Sequence, residues 1–372
     1  MIRSNLTFFL FLVLCFWVSL ASTHASANVV LFDVDKRKKE LQEARFKTIK
    51  EWCMASNYKK LPDEIPEPVK GLKTTDGYGS DRSLSNVAWF LMIHSGRALA
   101  GETKSEAIIR ETLLKWTDAN ALHETQEIHD AYYALKRALL PMIVSYTIVQ
   151  DGFSKEQQKK IERWFDPLVR RVDKIFDGDV DHNNHRYLGD SVLTLWGDLI
   201  GDQALYHKGK ERFEIALKQM EADGALPLET RRGTRAVWYI RQSIANLSLI
   251  AEVYRNNGEN LYALEREKRS LRLMTNYFVS AVNNPLILLP HTSENYIPGP
   301  DDYFLQQDLA VLKRRGERRH YMAFAELYHN RFDPADLSNV RLKHLMEKTG
   351  FQERPLIDDF VGGNATCFWG QP

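Results

Sequence analysis

Two short stretches of this 372-residue chain concentrate the side chains that can do chemistry. The first is Asp181-His182-Asn183-Asn184-His185-Arg186-Tyr187. The second runs through Leu226-Pro227-Leu228-Glu229, continues as Arg231-Arg232-Gly233-Thr234-Arg235 and ends in Trp238-Tyr239. Each falls where a loop gives way to a helical pattern, so its side chains project from one end of a helix bundle. Taken singly, every residue has an ordinary explanation. Asn184 and His185 can cap a helix, since asparagine is a favoured N-cap. Arg231, Arg232 and Arg235 can form a solvated basic run, and Tyr239 can sit in a core with its hydroxyl at the rim. His182 and His185 have a spacing used by zinc, with Asp181 adjacent. No further block of ligands accompanies them, so neither a metal nor a cofactor is expected. Glu229 is a candidate acid for a glycoside hydrolase, but that chemistry needs two carboxyl groups and no partner stands near it.

The two stretches together have a precedent. The run Asn183-Asn184-His185-x-Tyr187, preceded by Trp164-Phe165 and Phe176, resembles a signature of the polysaccharide lyase family that includes alginate lyases. Leu226-Pro227-Leu228-Glu229-x-x-Arg232-Gly233-x-Arg235-Ala236-x-x-Tyr239 resembles its second signature, in the same order and at the same separation. Tyr78-Gly79-Ser80-Asp81 is a weaker echo of the family's Gly-Ser-Asp turn. The likeness covers roughly residues 70–330. It implies Asn184, His185, Arg232 and Tyr239 as catalytic residues. Lys73, Tyr78, Arg82, Arg186, Tyr187 and Arg235 are candidates for contact with an anionic polysaccharide. The sequence departs from the family pattern at Leu188, Ile240 and Asp76-Gly77, positions that would face the sugar. Polymannuronate, as in alginate, is the first expectation for substrate, and polyglucuronate the alternative.

The chemistry fits these side chains. A uronate polymer can be cut by β-elimination, in which a base removes the C5 proton and the bond to O4 breaks. While the neighbouring carboxylate is a free anion, C5–H is too weakly acidic. A planar cation (Arg232) and an amide (Asn184) can quench that charge as preorganised donors. Tyrosine ionises near pH ~10, and a nearby guanidinium favours its anion. In a syn elimination one group, Tyr239, serves as both base and acid. An anti elimination needs two, with His185 as base and Tyr239 as acid. The rivals are a hydrolase on a similar helical scaffold and a non-catalytic component of polymer export.

These stretches need a scaffold, and the sequence supplies a helical one. Apolar residues recur at helical period over 34–54, 81–99, 104–116, 127–149, 155–176, 184–199, 205–220, 235–254, 263–281, 303–314, 319–330 and 340–348. Only 286–289 reads as a strand. Two irregular, proline-containing stretches interrupt the pattern: 61–80, read as a lid, and 283–302, read as a rim loop. Helices joined by short loops pack antiparallel, and no fixed-period repeat is visible. The expected fold is all-α, a single-domain α/α toroid, an incomplete barrel of antiparallel helix hairpins spanning 28–372.

Composition agrees with a folded, exported chain. Hydrophobic residues make up 44% and charged residues 27%, which excludes a disordered or collagenous protein. Arg3, the apolar run 6–20 and Ala25-Ser26-Ala27 read as a cleaved signal peptide over 1–27, so a periplasmic or secreted protein is expected, without a membrane anchor after cleavage. Lys+Arg 50 against Asp+Glu 49 leaves the chain near neutral, so bulk charge points to no nucleic-acid partner, and a polyanion must meet a local basic patch. Cys53 and Cys367 remain after cleavage, either as a bridge or as two buried thiols. Of Trp89, Trp116, Trp164, Trp196 and Trp238, most are expected in the core, with one or two left to stack on sugar.

Overall fold

The computed structural model describes residues 30–55, 64–73, 82–294, 305–315 and 319–372. The expected signal peptide lies outside the described residues, as do Tyr78 and all of the expected lid except 64–73. The first helices, α1 (Val34–Glu40) and α2 (Lys47–Met54), precede three helical hairpins. These are α3 (Arg82–Leu99) with α4 (Thr103–Asp118), α5 (His129–Val149) with α6 (Lys155–Arg171), and α7 (Asn184–Ile200) with α8 (Gln203–Gln219). A single turn, α9 (Pro227–Thr230), leads into α10 (Ala236–Asn256). Then come α11 (Leu271–Asn283), α12 (Phe324–His329) and α13 (Leu337–Thr349). A small antiparallel hairpin, β1 (Ile357–Asp358) with β2 (Gly363–Asn364), ends in α14 (Ala365–Trp369).

Burial sorts the helices into two layers. α5, α7 and α10 are buried on nearly every face, and with α3 they neighbour one another in the order α3, α5, α7, α10. A helix buried all round belongs inside, whereas one with a single apolar stripe can only cover. α6 is of the covering kind. It buries Ile161, Trp164, Phe165, Leu168 and Val169, leaves its lysines outside, and starts with a reciprocal Ser154–Gln157 capping box. α4 and α8 have the same character. This inner and outer layering is the expected α/α toroid. α7 and α8 approach closely because Gly197 and Gly209 face the Tyr206 backbone and Thr194, where a Cβ would collide.

Several expected elements differ. The pattern over 34–54 breaks into α1, a 3-10 turn at Ala44–Phe46 and α2. The helix expected at 263–281 begins only at Leu271, after a turn closed by the Arg266–Arg269 bridge. Residues 305–314 hold only the 3-10 turn Leu309–Leu312. The strand expected at 286–289 is part of a 3-10 segment, Pro285–Glu294.

The C-terminal segment closes the ring. Cys53 of α2 is disulfide-bonded to Cys367 of α14, with Cα atoms 5.7 Å apart, so the bridge forms and the two-thiol alternative falls. Arg37 of α1 donates to the carbonyls of Cys367 and Gly370, each at 2.7 Å. Glu326 of α12 takes both arms of Arg354, at 2.7 and 2.8 Å, and the Thr366 hydroxyl at 2.8 Å. The β1–β2 turn delivers Asp359 to Arg137 of α5 at 2.6 Å and Asp358 to Arg241 of α10 at 3.3 Å. Two inner helices are thereby tied through buried ion pairs.

Candidate active site

The first stretch forms the start of α7. Asn183, not Asn184, is the cap: its side chain accepts from the His185 backbone N–H at 2.9 Å. The Asn184 side chain is therefore not used in capping, and both of its amide atoms are buried without a hydrogen-bond partner among the described residues. Buried polar atoms are almost always paired, so an unpaired buried amide calls for an explanation.

His185 is buried and stacks on two rings of α5, Tyr133 at 4.2 Å and His129 at 5.0 Å between centroids. Burial first, then the nearby His129, Lys136, Arg232 and Arg137, push its imidazole well below the ordinary value. His185 is thus a neutral ring at working pH. Burial and the Arg186 charge also lower the neighbouring Lys136, to about 8.

The second stretch forms α9, a tight turn at Gly233 (φ 58°) and the start of α10. The positive φ explains the glycine, which alone adopts it without strain. The turn carries Arg232 back over α10, placing its guanidinium carbon 4.0 Å from the centroid of the Tyr239 ring. α10 lacks a side-chain cap of its own. Gln307 supplies one from afar: its side chain accepts from the Val237 N–H at 3.1 Å and donates to the Gly233 carbonyl at 2.9 Å, while the Asp308 N–H reaches the Thr234 carbonyl at 2.7 Å.

Glu229 joins the two stretches. Its Oε1 accepts from the Asn184 backbone N–H at 2.8 Å and from the Ser243 hydroxyl at 3.2 Å. It is fully buried, so it cannot serve as the exposed acid of a hydrolase. The field of Arg232 is felt at His185, and that of Tyr239 at Tyr133, which burial already pushes up. Asn184, His185, Arg232 and Tyr239 therefore converge from separate elements on one place.

The outer candidates divide. Arg186 is buried, with its guanidinium committed to Asp173 at 2.6 Å and Asp190 at 3.0 Å. Tyr187 is buried, and its hydroxyl donates to Gln219 at 3.1 Å. Both expectations of substrate contact are corrected: these side chains hold α7 in place and have no face left for a sugar. Lys73 is exposed at the end of 64–73, and Arg82 opens α3. Arg235 is exposed, 5.9 Å from the Trp238 ring, with Arg315 on the same ring at 4.7 Å. Trp89, Trp116, Trp164 and Trp196 are buried, whereas Trp238 is half-buried beside Tyr239. His182 is exposed and His185 buried, and among the described residues no three metal-ligating side chains gather. Sequence reading missed His129, Tyr133, Ser243 and Gln307. His129, Tyr133 and Arg137 recur at helical spacing on an otherwise apolar α5, a polar stripe that could have been noticed.

The family model for alginate lyases matches residues 116–288, which hold both stretches and the α5 stripe. Over that span the chain is similar to the alginate lyases. It is similar to a polysaccharide lyase of Stenotrophomonas maltophilia, 27% identical over 169 residues, covering 45% of this chain and 50% of that one. It is also similar to an alginate lyase of Pseudomonas syringae pv. syringae, 25% identical over 228 residues, 57% of this chain and 55% of the relative. The chain thus spans about half the length of the curated relatives it matches. In fold it resembles alginate lyase A1-III of Sphingomonas species A1, with a TM-score of 0.76 at 20% identity, covering 93% of this chain and 97% of that one. The Gln307 clamp and the β1–β2 hairpin lie outside the alginate lyase match, yet they brace residues inside it.

Proposed function

We propose that the protein is a secreted or periplasmic polysaccharide lyase that cleaves a uronic-acid polymer, polymannuronate first, by β-elimination. The observation that carries this reading is the Arg232 guanidinium carbon lying 4.0 Å from the centroid of the Tyr239 ring, with Glu229 joining that segment to Asn184, whose buried amide has no partner among the described residues. A sugar carboxylate bound between Arg232 and Asn184 gains the charge-assisted hydrogen bonds that make C5–H removable. In D-mannuronate and D-glucuronate, C5–H and O4 lie on the same side of the ring. Tyr239 can then take the C5 proton and return it to O4 as the bond breaks, a syn elimination by one phenol. His185 is neutral, so it leaves the carboxylate to Arg232. The reaction needs no water and no group beyond the protein's own, and it leaves a 4,5-unsaturated sugar at the new non-reducing end. Trp238, with Arg235 and Arg315 over its ring, suits an adjoining anionic sugar.

The test is the ultraviolet absorbance of the unsaturated product, followed on polymannuronate, polyguluronate, glucuronan and hyaluronan in the presence of a chelator. Absorbance should rise on polymannuronate. A rise on glucuronan alone would move the substrate to the alternative, and no rise on any polymer with folded protein would end the lyase reading.

A further inference from the structure

Glu229 occupies the seam between the two halves of the site, and the elimination itself does not use it. Its carboxyl is fully buried, with two donors on Oε1, from Asn184 of α7 and Ser243 of α10. Its Oε2 has no hydrogen-bond partner among the described residues. Its backbone carbonyl accepts from the Arg232 N–H at 3.3 Å. One residue therefore touches both residues that must grip a single sugar carboxylate. A buried oxygen left unpaired is costly, more so if charged, and a position chosen for packing alone would not hold one.

We propose that Glu229 is a positioning residue of the lyase site, whose carboxyl locks the first turn of α7 to α10 and so sets the separation of the Asn184 amide from the Arg232 guanidinium. The inference rests on the lyase reading above. It also commits to a charge state. Burial raises the Glu229 carboxyl to about 7, against the pull of Arg232 and the bonds from Asn184 and Ser243, with Asp179 adding to the rise. The charged and titratable groups facing it are Arg232 from the turn after α9, Asp179 from the segment before α7, and Tyr187 from α7 itself. As a neutral acid Glu229 orders the site without adding an anion beside Arg232. Once ionised, it competes with the sugar carboxylate for that guanidinium.

The experiment compares kcat and KM of the full-length protein, Glu229→Gln and Glu229→Ala on polymannuronate from pH 5.5 to 9, each checked for fold by circular dichroism. Glutamine keeps the acceptor and cannot ionise. Glu229→Gln should stay within about threefold of wild type near pH 6, and its kcat relative to wild type should climb as pH passes about 7. Glu229→Ala should lose at least about 30-fold in kcat with KM changed less than about threefold. If alanine abolishes folding, the pH-dependent ratio of glutamine to wild type decides alone. An active wild type with a ratio flat across pH, or an alanine variant with wild-type kcat, overturns the proposal. A wild type inactive on every polyuronate overturns the lyase reading instead, so the two failures are told apart.

Discussion

The Asn184 amide is buried with neither atom paired among the described residues, a state that costs about 1–3 kcal/mol. Stability and activity should therefore part at this position. Asn184→Leu removes the unpaired amide at similar volume, so the melting temperature should hold or rise, while turnover of polymannuronate falls by about 10²–10³-fold. Calorimetry beside kinetics checks both; a variant that melts lower and keeps its rate would mean that the amide is structural. Tyr239→Phe deletes one oxygen from a half-buried ring and leaves the Arg232 stacking surface intact. It should cost at least about 10²–10⁴-fold in kcat with little change in melting temperature. Arg232→Lys keeps the charge and loses the planar fork, so kcat should fall by at least about tenfold.

At the scale of elements, the start of α10 depends on a residue far along the chain. Gln307 bonds Gly233 and Val237, which flank the turn that aims Arg232 and lead to Tyr239. Gln307→Ala should reduce kcat by about tenfold, through misplacement of groups it never touches, while KM changes less. A fall confined to KM would mean that Gln307 meets substrate directly. Such distant braces were not legible in the sequence. Residues 303–314 carry a helical apolar pattern, but the bonds of Gln307 and Asp308 to the α10 turn hold 305–314 otherwise. The inner helices were legible because long apolar periods leave little choice. The two stretches of the site were legible because four chemically unusual residues sit at helix starts. Arg186 and Tyr187 were misread as substrate contacts because they adjoin Asn184 and His185 in sequence. On a helix each successive residue turns about 100°, which carries these two toward Asp173, Asp190 and Gln219. The β1–β2 hairpin has only 2 residues in each strand, too short for periodicity, and its place is set by Asp358 and Asp359 meeting arginines of α5 and α10.

The whole molecule is a curved double layer fastened at its ends. The Cys53–Cys367 bridge joins positions 314 residues apart, and closing so long a loop contributes about 2–5 kcal/mol. Reduction, or Cys53→Ser with Cys367→Ser, should lower the melting temperature by about 4–20 °C at roughly 2–4 °C per kcal/mol. Buried histidines set the acid limit. Burial lowers His94 and His320 to about 4 each, and His185 falls well below its ordinary value. Their unfolded forms take a proton near pH ~6.5 and their folded forms do not, so stability is present above that pH and is lost as pH falls toward 4. The melting temperature should therefore drop between pH 6.5 and 4.5, and a flat profile would show these imidazoles to be solvated. The claim on which everything depends is that the cleft breaks a sugar chain without water. The direct measurement is mass spectrometry of the oligosaccharides released from polymannuronate in heavy-oxygen water. The account predicts products that are one water lighter at the new non-reducing end, with no heavy oxygen incorporated. Saturated products carrying heavy oxygen would contradict it.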